Sequence, residues 1–239
     1  MPKLDSTTRD KIVAAATELI MERGYDKTTM RAIAERADVS LGSAYYYFSG
    51  KEELVQGFYL DIAREHHALL QERIAGVTSF RDRLDACFTA FLDTSDKYAA
   101  ISDSLLTLAI VPTSPLNPFS LESKPARERF VRTYEEVIEG SDLKTDARLR
   151  EALPELLWIV QMVITLGWVQ DLSPGKKVTR SVVGRLTPSL ARLLGLVRLA
   201  PFRPFVEDAL EGLAAVKEAR QDSGSQASIG SAVPVNGGR

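Results

Sequence analysis

Residues 39–48 read VSLGSAYYYF, which places three tyrosines and a phenylalanine in succession in a chain with seven tyrosines in all. A helix turns by about 100° per residue, so four consecutive aromatic side chains point in four directions and cannot all enter one core. Ala44 and Phe48 lie four residues apart and can share an inner face. Tyr45, Tyr46 and Tyr47 are then expected on the rim and outer face, which indicates a helix that presents its rings to a partner.

The segments around this stretch predict short helices joined by tight turns. A first helix is expected over about residues 8–23, a second from Thr28 or Thr29, and a third with Ser40 as its N-cap. Ser49 stands three residues before Glu52, a capping-box pattern that predicts the start of a long fourth helix reaching to about Gly76.

The rest of the chain also shows apolar residues at helical spacing and no alternating strand pattern, so we predict an all-α protein. Further helices are expected at about 80–94, 96–111, 125–140, 146–169, 178–199 and 204–220, with a proline-rich break at 112–118 and a bend at Pro188. The resulting domains are a small helix-turn-helix domain over 1–50, a larger helical domain over 51–220 and a disordered tail over 221–239, which has too few apolar residues to fold.

Charge and composition limit the kinds of partner and the compartment that we expect for this chain. The net charge is −2, and residues 1–56 contain eight Lys or Arg against nine Asp or Glu. Nonspecific binding to DNA should therefore be modest, and a specific site is the expected target. The polar N-terminus and the lack of an uninterrupted apolar run near the roughly 18 residues of a membrane span predict a cytoplasmic protein with no membrane partner. A single cysteine, Cys87, fits a reducing compartment.

Catalytic and metal chemistry find little support in the sequence. His66 and His67 are the two histidines of the chain, and neighbours on a helix cannot both face one metal ion. With Cys87 they would make at most an incomplete site. No glycine-rich phosphate loop or nucleophile-base set is evident. We therefore expect no enzyme activity, no cofactor and no metal site.

Residues 24–54, GYDKTTMRAIAERADVSLGSAYYYFSGKEEL, resemble the DNA-binding domain of the TetR family of transcriptional regulators. The shared pattern is a Gly-aromatic pair, Thr-Thr, Ile-Ala, Val-Ser-x-Gly, then Tyr, Phe and Lys-Glu. Asp38, Ala44 and Tyr47 depart from it, where Gly, Leu and His are usual. The alternative is an all-α scaffold or ligand-binding protein that binds no operator, in which the rings form a small aromatic core.

The resemblance implies a double-stranded DNA operator as partner. Residues of the second helix approach the DNA, the start of the third helix enters the major groove, and the tyrosines and the lysine contact bases or phosphates. The implied set is Thr29, Arg31, Ser40, Leu41, Gly42, Ser43, Tyr45, Tyr46, Tyr47 and Lys51.

The resemblance also implies a homodimer whose larger domain binds a small organic effector. We expect a repressor that this effector releases from an inverted-repeat operator. The apolar segments 146–169 and 178–199 are the best candidates for a four-helix seam across a two-fold axis, the alternative being an intramolecular core. Residues that combine bulk with a few polar groups are candidates for the effector site. They are Phe91, Tyr98, Leu105, Trp158, Gln161, Met162, Thr165 and Trp168.

Overall fold

A computed structural model describes residues 8–99, 105–106, 109–196, 208 and 211–212 of the chain. This part is helical and contains no strand, which confirms the all-α class. The helices are α1 (Thr8–Arg23), α2 (Met30–Arg36), α3 (Leu41–Tyr47), α4 (Lys51–Ile74), α5 (Phe80–Asp96), α6 (Lys124–Glu139), α7 (Ala147–Gln170) and α8 (Lys177–Leu196).

Helices α1 to α3 and the start of α4 enclose a small core of their own, which includes Ile12, Ile33, Ala44, Phe48 and Leu54. The side chains of Thr29, a predicted helix start, and Ser40, a predicted N-cap, bond to the backbone. Thr29 Oγ1 accepts from the Ala32 amide at 3.3 Å and Ser40 Oγ accepts from the Ser43 amide at 3.0 Å. The second and third helices thus begin where the sequence predicts.

The turn between α2 and α3 requires a left-handed residue. Asp38 has φ of 55°, a region that glycine enters freely and that Asp and Asn tolerate better than other residues. This backbone geometry explains why glycine is usual at this position of the motif, and why aspartate is an acceptable replacement.

The predicted capping box at the start of α4 is wrong in its partner. The N-cap is Gly50, which has no side chain to form a cap. The residue three positions after this N-cap is Glu53. The Ser49 amide and hydroxyl donate to Glu53 Oε2 at 2.8 and 3.1 Å. Glu52 instead accepts a hydrogen bond from the Tyr25 hydroxyl at 2.9 Å, which ties the start of α4 to the turn after α1.

The larger domain is built around α5, which packs against α4, α6 and α8, while α7 packs against α6 and α8. Its core includes Leu84, Phe88, Tyr134, Leu157 and Trp158. Residues 112–118 form turns, and Pro125 lies in the first turn of α6. Residues 100–104 and 107–108 of the predicted helix at 96–111 lie outside the described residues, as do most of the predicted helix at 204–220 and the whole of the predicted tail. Helix α8 continues through Pro188; the bend there stays a prediction.

Helix α7 is long and apolar enough to cross a membrane by length and composition alone, with a mean hydropathy of 1.6. No membrane span is predicted here from the sequence, because polar residues such as Gln161 interrupt the apolar run. The same test is passed by core helices of soluble proteins, and α7 packs against α6 and α8.

Candidate DNA interface and effector cavity

Helix α3 turns one face to the core and the other to solvent. Ala44 and Phe48 are buried, whereas Tyr46 is 83% exposed and Tyr45 and Tyr47 are also exposed. The Tyr46 and Tyr47 rings meet edge to face, with centroids 5.2 Å apart. Three adjacent phenols on an exposed helix provide apolar ring edges and hydroxyl donors on a single surface.

The other predicted DNA-contacting residues surround this surface. Arg31 and Gly42 are exposed, and Leu41 and Ser43 are half-buried at the start of α3. Thr29 and Ser40 are exposed, but their side-chain oxygens already cap α2 and α3. All of these residues lie on α2 or α3, or directly before one of these helices, within one small domain.

Lys51 has an intramolecular role that the sequence does not indicate. Its Nζ donates to the Tyr25 carbonyl oxygen at 2.9 Å and lies 4.2 Å from the centroid of the Tyr25 ring. Burial and the hydrogen bond to Glu52 raise the pKa of Tyr25 above its ordinary value, so its hydroxyl remains a donor. If Lys51 also contacts a DNA phosphate, the same ammonium group serves two partners, because it already connects α4 to Tyr25 in the turn after α1.

A cavity of about 440 Å³ lies in the larger domain between α4, α5, α7 and the segment that leads into α6. All eight residues predicted for the effector site line it: Phe91, Tyr98, Leu105, Trp158, Gln161, Met162, Thr165 and Trp168. Their role in binding stays a prediction. Phe58, Tyr59 and Ile62 form the α4 side of the wall. They were not among the predicted site residues, because an apolar stripe on a long helix predicts only burial.

Two polar groups of the cavity wall donate hydrogen bonds to carboxylates that lie outside the lining. Tyr98 donates its hydroxyl to Glu65 Oε1 at 2.6 Å, and Trp168 Nε1 donates to Asp96 Oδ1 at 2.8 Å. Burial, followed by the bond to Glu65, raises the pKa of Tyr98 above its ordinary value. The phenol is thus neutral and fixed in orientation.

Charged residues connect this wall to other helices. Arg180 on α8 donates to Asp96 Oδ2 at 2.6 Å and pairs with Asp93 Oδ1 at 2.7 Å. Asp93 also accepts from Arg73 on α4 at 2.5 Å. Burial opposes ionisation of Asp93, but the hydrogen bonds from Arg73 and Arg180 outweigh it and lower the pKa of Asp93. Helices α4, α5, α7 and α8 therefore meet in one hydrogen-bonded network beside the cavity.

His66 and Cys87 lie together but do not form a metal site. His66 Nε2 is 3.0 Å from the Cys87 carbonyl oxygen and 3.6 Å from its Sγ. Burial lowers the pKa of His66 to about 4 and raises the pKa of Cys87 to about 12. Within the described residues, no three His, Cys, Asp or Glu side chains are grouped as metal ligands would be.

These features define a helix-turn-helix protein with a larger helical body. Residues 12–57 match the family model of bacterial regulatory proteins of the tetR family, and residues 83–211 match the tetracyclin repressor-like C-terminal domain. The second match alone spans more than half of the chain. The chain belongs to the TetR family of transcriptional regulators.

Curated relatives and solved structures agree with this family. The transcriptional regulator HbdR of Aromatoleum sp. (strain CIB) is 35% identical over 83 residues, which cover 35% of this chain and 36% of that protein. The transcriptional repressor DhaR of Mycobacterium sp. (strain GP1) is 29% identical over 155 residues, 62% of this chain and 74% of that protein. The aligned part thus spans little more than a third of HbdR.

Two solved structures share the fold at low sequence identity. The TetR regulator of Nitrosomonas europaea superposes with a TM-score of 0.59 at 21% identity, over 79% of this chain and 99% of that one. The Thermus thermophilus repressor FadR, solved in complex with lauroyl-CoA, gives a TM-score of 0.56 at 22% identity, over 75% and 92%.

Proposed function

We propose that this protein is a transcriptional repressor whose homodimer binds an inverted-repeat operator and is released by a small organic ligand. Residues 1–50 read the DNA, and residues 51–220 bind the ligand and dimerise. The observation that carries the proposal is the position of α4. It begins at Lys51, directly after α3, and its residues Phe58, Tyr59 and Ile62 line the cavity.

The exposed face of α3 suits the major groove of DNA. A tyrosine ring can contact a thymine methyl group, and its hydroxyl can bond to a base edge or a phosphate. Tyr45, Tyr46 and Tyr47 offer these groups together, and Arg31 is exposed on α2. A DNA-binding regulator of this kind works in the cytoplasm, where bacterial DNA lies. The proposal includes no catalytic role.

An exposed apolar stripe on the larger domain supports the dimer. Residues four apart on α8, Val178, Val182 and Leu186, are exposed, as are Leu193 and Leu196 further along the helix. Helix α7 adds exposed residues of the same kind, Val163 and Leu166. A soluble chain rarely leaves such a stripe uncovered. Two copies related by a two-fold axis would bury it in a four-helix seam.

Direct bonds between α4 and the segment before α6 provide a route from ligand to DNA. Gln56 Nε2 donates to the Pro115 carbonyl at 2.6 Å and to Ser123 Oγ at 3.0 Å, and the Tyr59 hydroxyl donates to the Leu116 carbonyl at 3.3 Å. Asn117, Pro118 and Phe119 of the same segment line the cavity. A ligand that shifts this segment would tilt α4 and change the separation of the two α3 helices.

The change in separation explains release. Half-sites lie about 34 Å apart or a multiple of it. A tilted α4 therefore places the α3 helix of one protomer out of register with its half-site. The ligand acts only to the extent that it prefers the misaligned state. DhaR is named as a repressor, and FadR of Thermus thermophilus is a repressor solved with lauroyl-CoA; both support the repressor reading and a ligand role for this fold.

The test is a selection of random DNA duplexes on the purified full chain, followed by sedimentation of the complex. We expect enrichment of one inverted repeat and a complex of two protein chains per site. Failure to enrich any sequence, or a monomer at micromolar concentration, would instead favour an all-α scaffold or ligand-binding protein. If the proposed function is right, Thr165→Ala and Trp168→Ala should keep operator affinity and change the ligand response.

A further inference from the structure

Gln161 on α7 carries a hydrogen-bond donor that the protein does not use. Its side chain is fully buried and lines the cavity. Oε1 accepts a hydrogen bond from the hydroxyl of Tyr134 at 2.7 Å. Tyr134 belongs to α6 and does not line the cavity, so it holds the amide from behind the wall and orients its two ends.

The other end of the amide, Nε2, has no hydrogen-bond partner. Five buried side-chain atoms of the described residues share this property, and the Nε2 of Gln161 is the one that belongs to a residue lining the cavity. Buried donors in native proteins are nearly always paired, because an unpaired one is destabilising. A donor kept unpaired in a cavity wall is therefore suited to a ligand.

Neighbouring polar groups of the wall already have protein partners. The Tyr98 hydroxyl donates to Glu65, and Thr165 Oγ1 donates to the Gln161 carbonyl at 2.8 Å. Asn117 donates Nδ2 to the Val111 carbonyl, while its Oδ1 accepts from the Phe119 amide. Among these side chains, the donor left for a ligand is thus the Nε2 of Gln161.

The mostly apolar lining of the cavity disfavours an anionic ligand. The carboxylates of Glu65 and Asp96 lie directly behind Tyr98 and Trp168, two rings of the wall. Arg127 lines the cavity, but its Nη1 donates to the carbonyls of Pro118 and Ser120 at 2.7 and 3.1 Å. Most of the remaining lining is aromatic or aliphatic. A carboxylate in this cavity would lose its hydration against mostly apolar side chains, and the Arg127 guanidinium is already bonded to two backbone carbonyls.

We infer that the ligand is an uncharged, largely apolar molecule with a carbonyl or ether oxygen that accepts a hydrogen bond from Gln161 Nε2. The identification of this ligand as the effector rests on the proposed function; its binding does not. A cavity of about 440 Å³ falls within the range of sites for drug-sized organic ligands.

Two probes of nearly identical shape test the inferred hydrogen bond. Benzophenone has a carbonyl oxygen where 1,1-diphenylethylene has a methylene group. Equilibrium dialysis against the full chain is expected to show tighter binding of benzophenone by about two- to twelvefold, the range for one ordinary hydrogen bond. Equal binding of the two probes, or binding of neither, overturns the inference.

Variants assign the preference to one side chain. Gln161→Met is expected to bind both probes equally, whereas Tyr134→Phe, which removes only the partner of Oε1, retains a preference for benzophenone. Since Gln161→Met removes the acceptor of the Tyr134 hydroxyl, the double variant Gln161→Met/Tyr134→Phe removes both polar partners and guards against misfolding. A preference that survives in the double variant overturns the role of Gln161.

A charged probe and DNA release complete the experiment. 4-Benzoylbenzoate is expected to bind more weakly than benzophenone, and tighter binding overturns the inferred absence of charge. Release of the selected operator is measured separately. A Gln161-dependent preference without release supports the inferred ligand class and contradicts the proposed ligand switch. Release by benzophenone that is independent of Gln161 supports the switch and overturns this inference.

Discussion

The indole nitrogen of Trp168 donates to Asp96 at 2.8 Å, across 72 residues of sequence. The second oxygen of the same carboxylate accepts from Arg180 at 2.6 Å. One carboxylate on α5 therefore connects a ring of the cavity wall to α8, the helix that carries the exposed apolar stripe. A change at either end must alter the same hydrogen-bonded group.

Removal of Arg180 tests how much this connection stabilises the larger domain. Arg180→Met is expected to lower the free energy of unfolding by about 1 kcal/mol, because Asp93 and Asp96 each lose a charged partner in a partly exposed site. Arg185→Met, an exposed arginine on the same helix, is the matched control and should change it by less than about 0.5 kcal/mol. Urea unfolding measures both; equal effects would show that the network is not stabilising.

Substitution of Tyr46 separates DNA binding from folding. Its ring is exposed, so Tyr46→Ala should weaken binding to the selected operator by about tenfold, the loss of one or two contacts, and leave the unfolding temperature unchanged. Phe48→Ala, two residues further along the chain but buried, is expected to destabilise the domain by about 3 kcal/mol or more. Fluorescence anisotropy and thermal unfolding distinguish them. If Tyr46→Ala unfolds the domain, its ring belongs to a core.

Lys51 should contribute a phosphate contact as well as its bond to Tyr25. Lys51→Ala is expected to weaken operator and random duplexes alike and to reduce the slope of log K against log salt by about one. The exposed Lys144 lies in the larger domain, and Lys144→Ala should leave the slope as it is. An unchanged slope in Lys51→Ala would mean that the ammonium stays on Tyr25 and does not reach DNA.

Buried His66 should make the protein less stable in mild acid. Its pKa is about 4 in the folded chain against an ordinary 6.5, since burial between Cys87 and the rings of Phe91 and Phe130 disfavours the charged form. Below pH 6.5 the unfolded chain binds a proton that the folded chain does not. Stability should thus fall as the pH falls, by about 2 kcal/mol between pH 7 and pH 5 from this group alone.

The control for this effect replaces the ring without removing its donor. His66→Gln keeps an amide that can donate to the Cys87 carbonyl and has no titrating group, so its stability should depend less on pH over the same range. His67→Gln retains His66 and should keep the slope that His66 causes. Parallel profiles of the parent and His66→Gln, measured by denaturant unfolding, would refute the assignment.

The apolar stripe on α8 should hold the dimer together. Leu186 is 60% exposed in the single chain, so Leu186→Lys is expected to produce a folded monomer by placing two charges across the two-fold seam. Leu121, 68% exposed just before α6, offers a matched position outside the stripe. Leu121→Lys should remain a dimer in analytical ultracentrifugation. A dimer in both variants would move the interface elsewhere.

Local sequence was enough to predict the all-α class, the helix-turn-helix and the orientation of its rings. The caps at Thr29 and Ser40 and the inward face of Ala44 and Phe48 depend on residues within about four positions. Such short-range geometry is nearly the same wherever the helix lies in a fold.

Tertiary structure decided the features that join distant helices. The contact of Glu52 with Tyr25 displaced the predicted capping box, the α4 residues Phe58 and Tyr59 became part of the cavity, and Gln161 found its partner in Tyr134 on another helix. Helical periodicity tells which face of each helix is apolar, but it does not tell which other helix covers that face or where a gap remains. Those depend on how side chains far apart in sequence fill one common space.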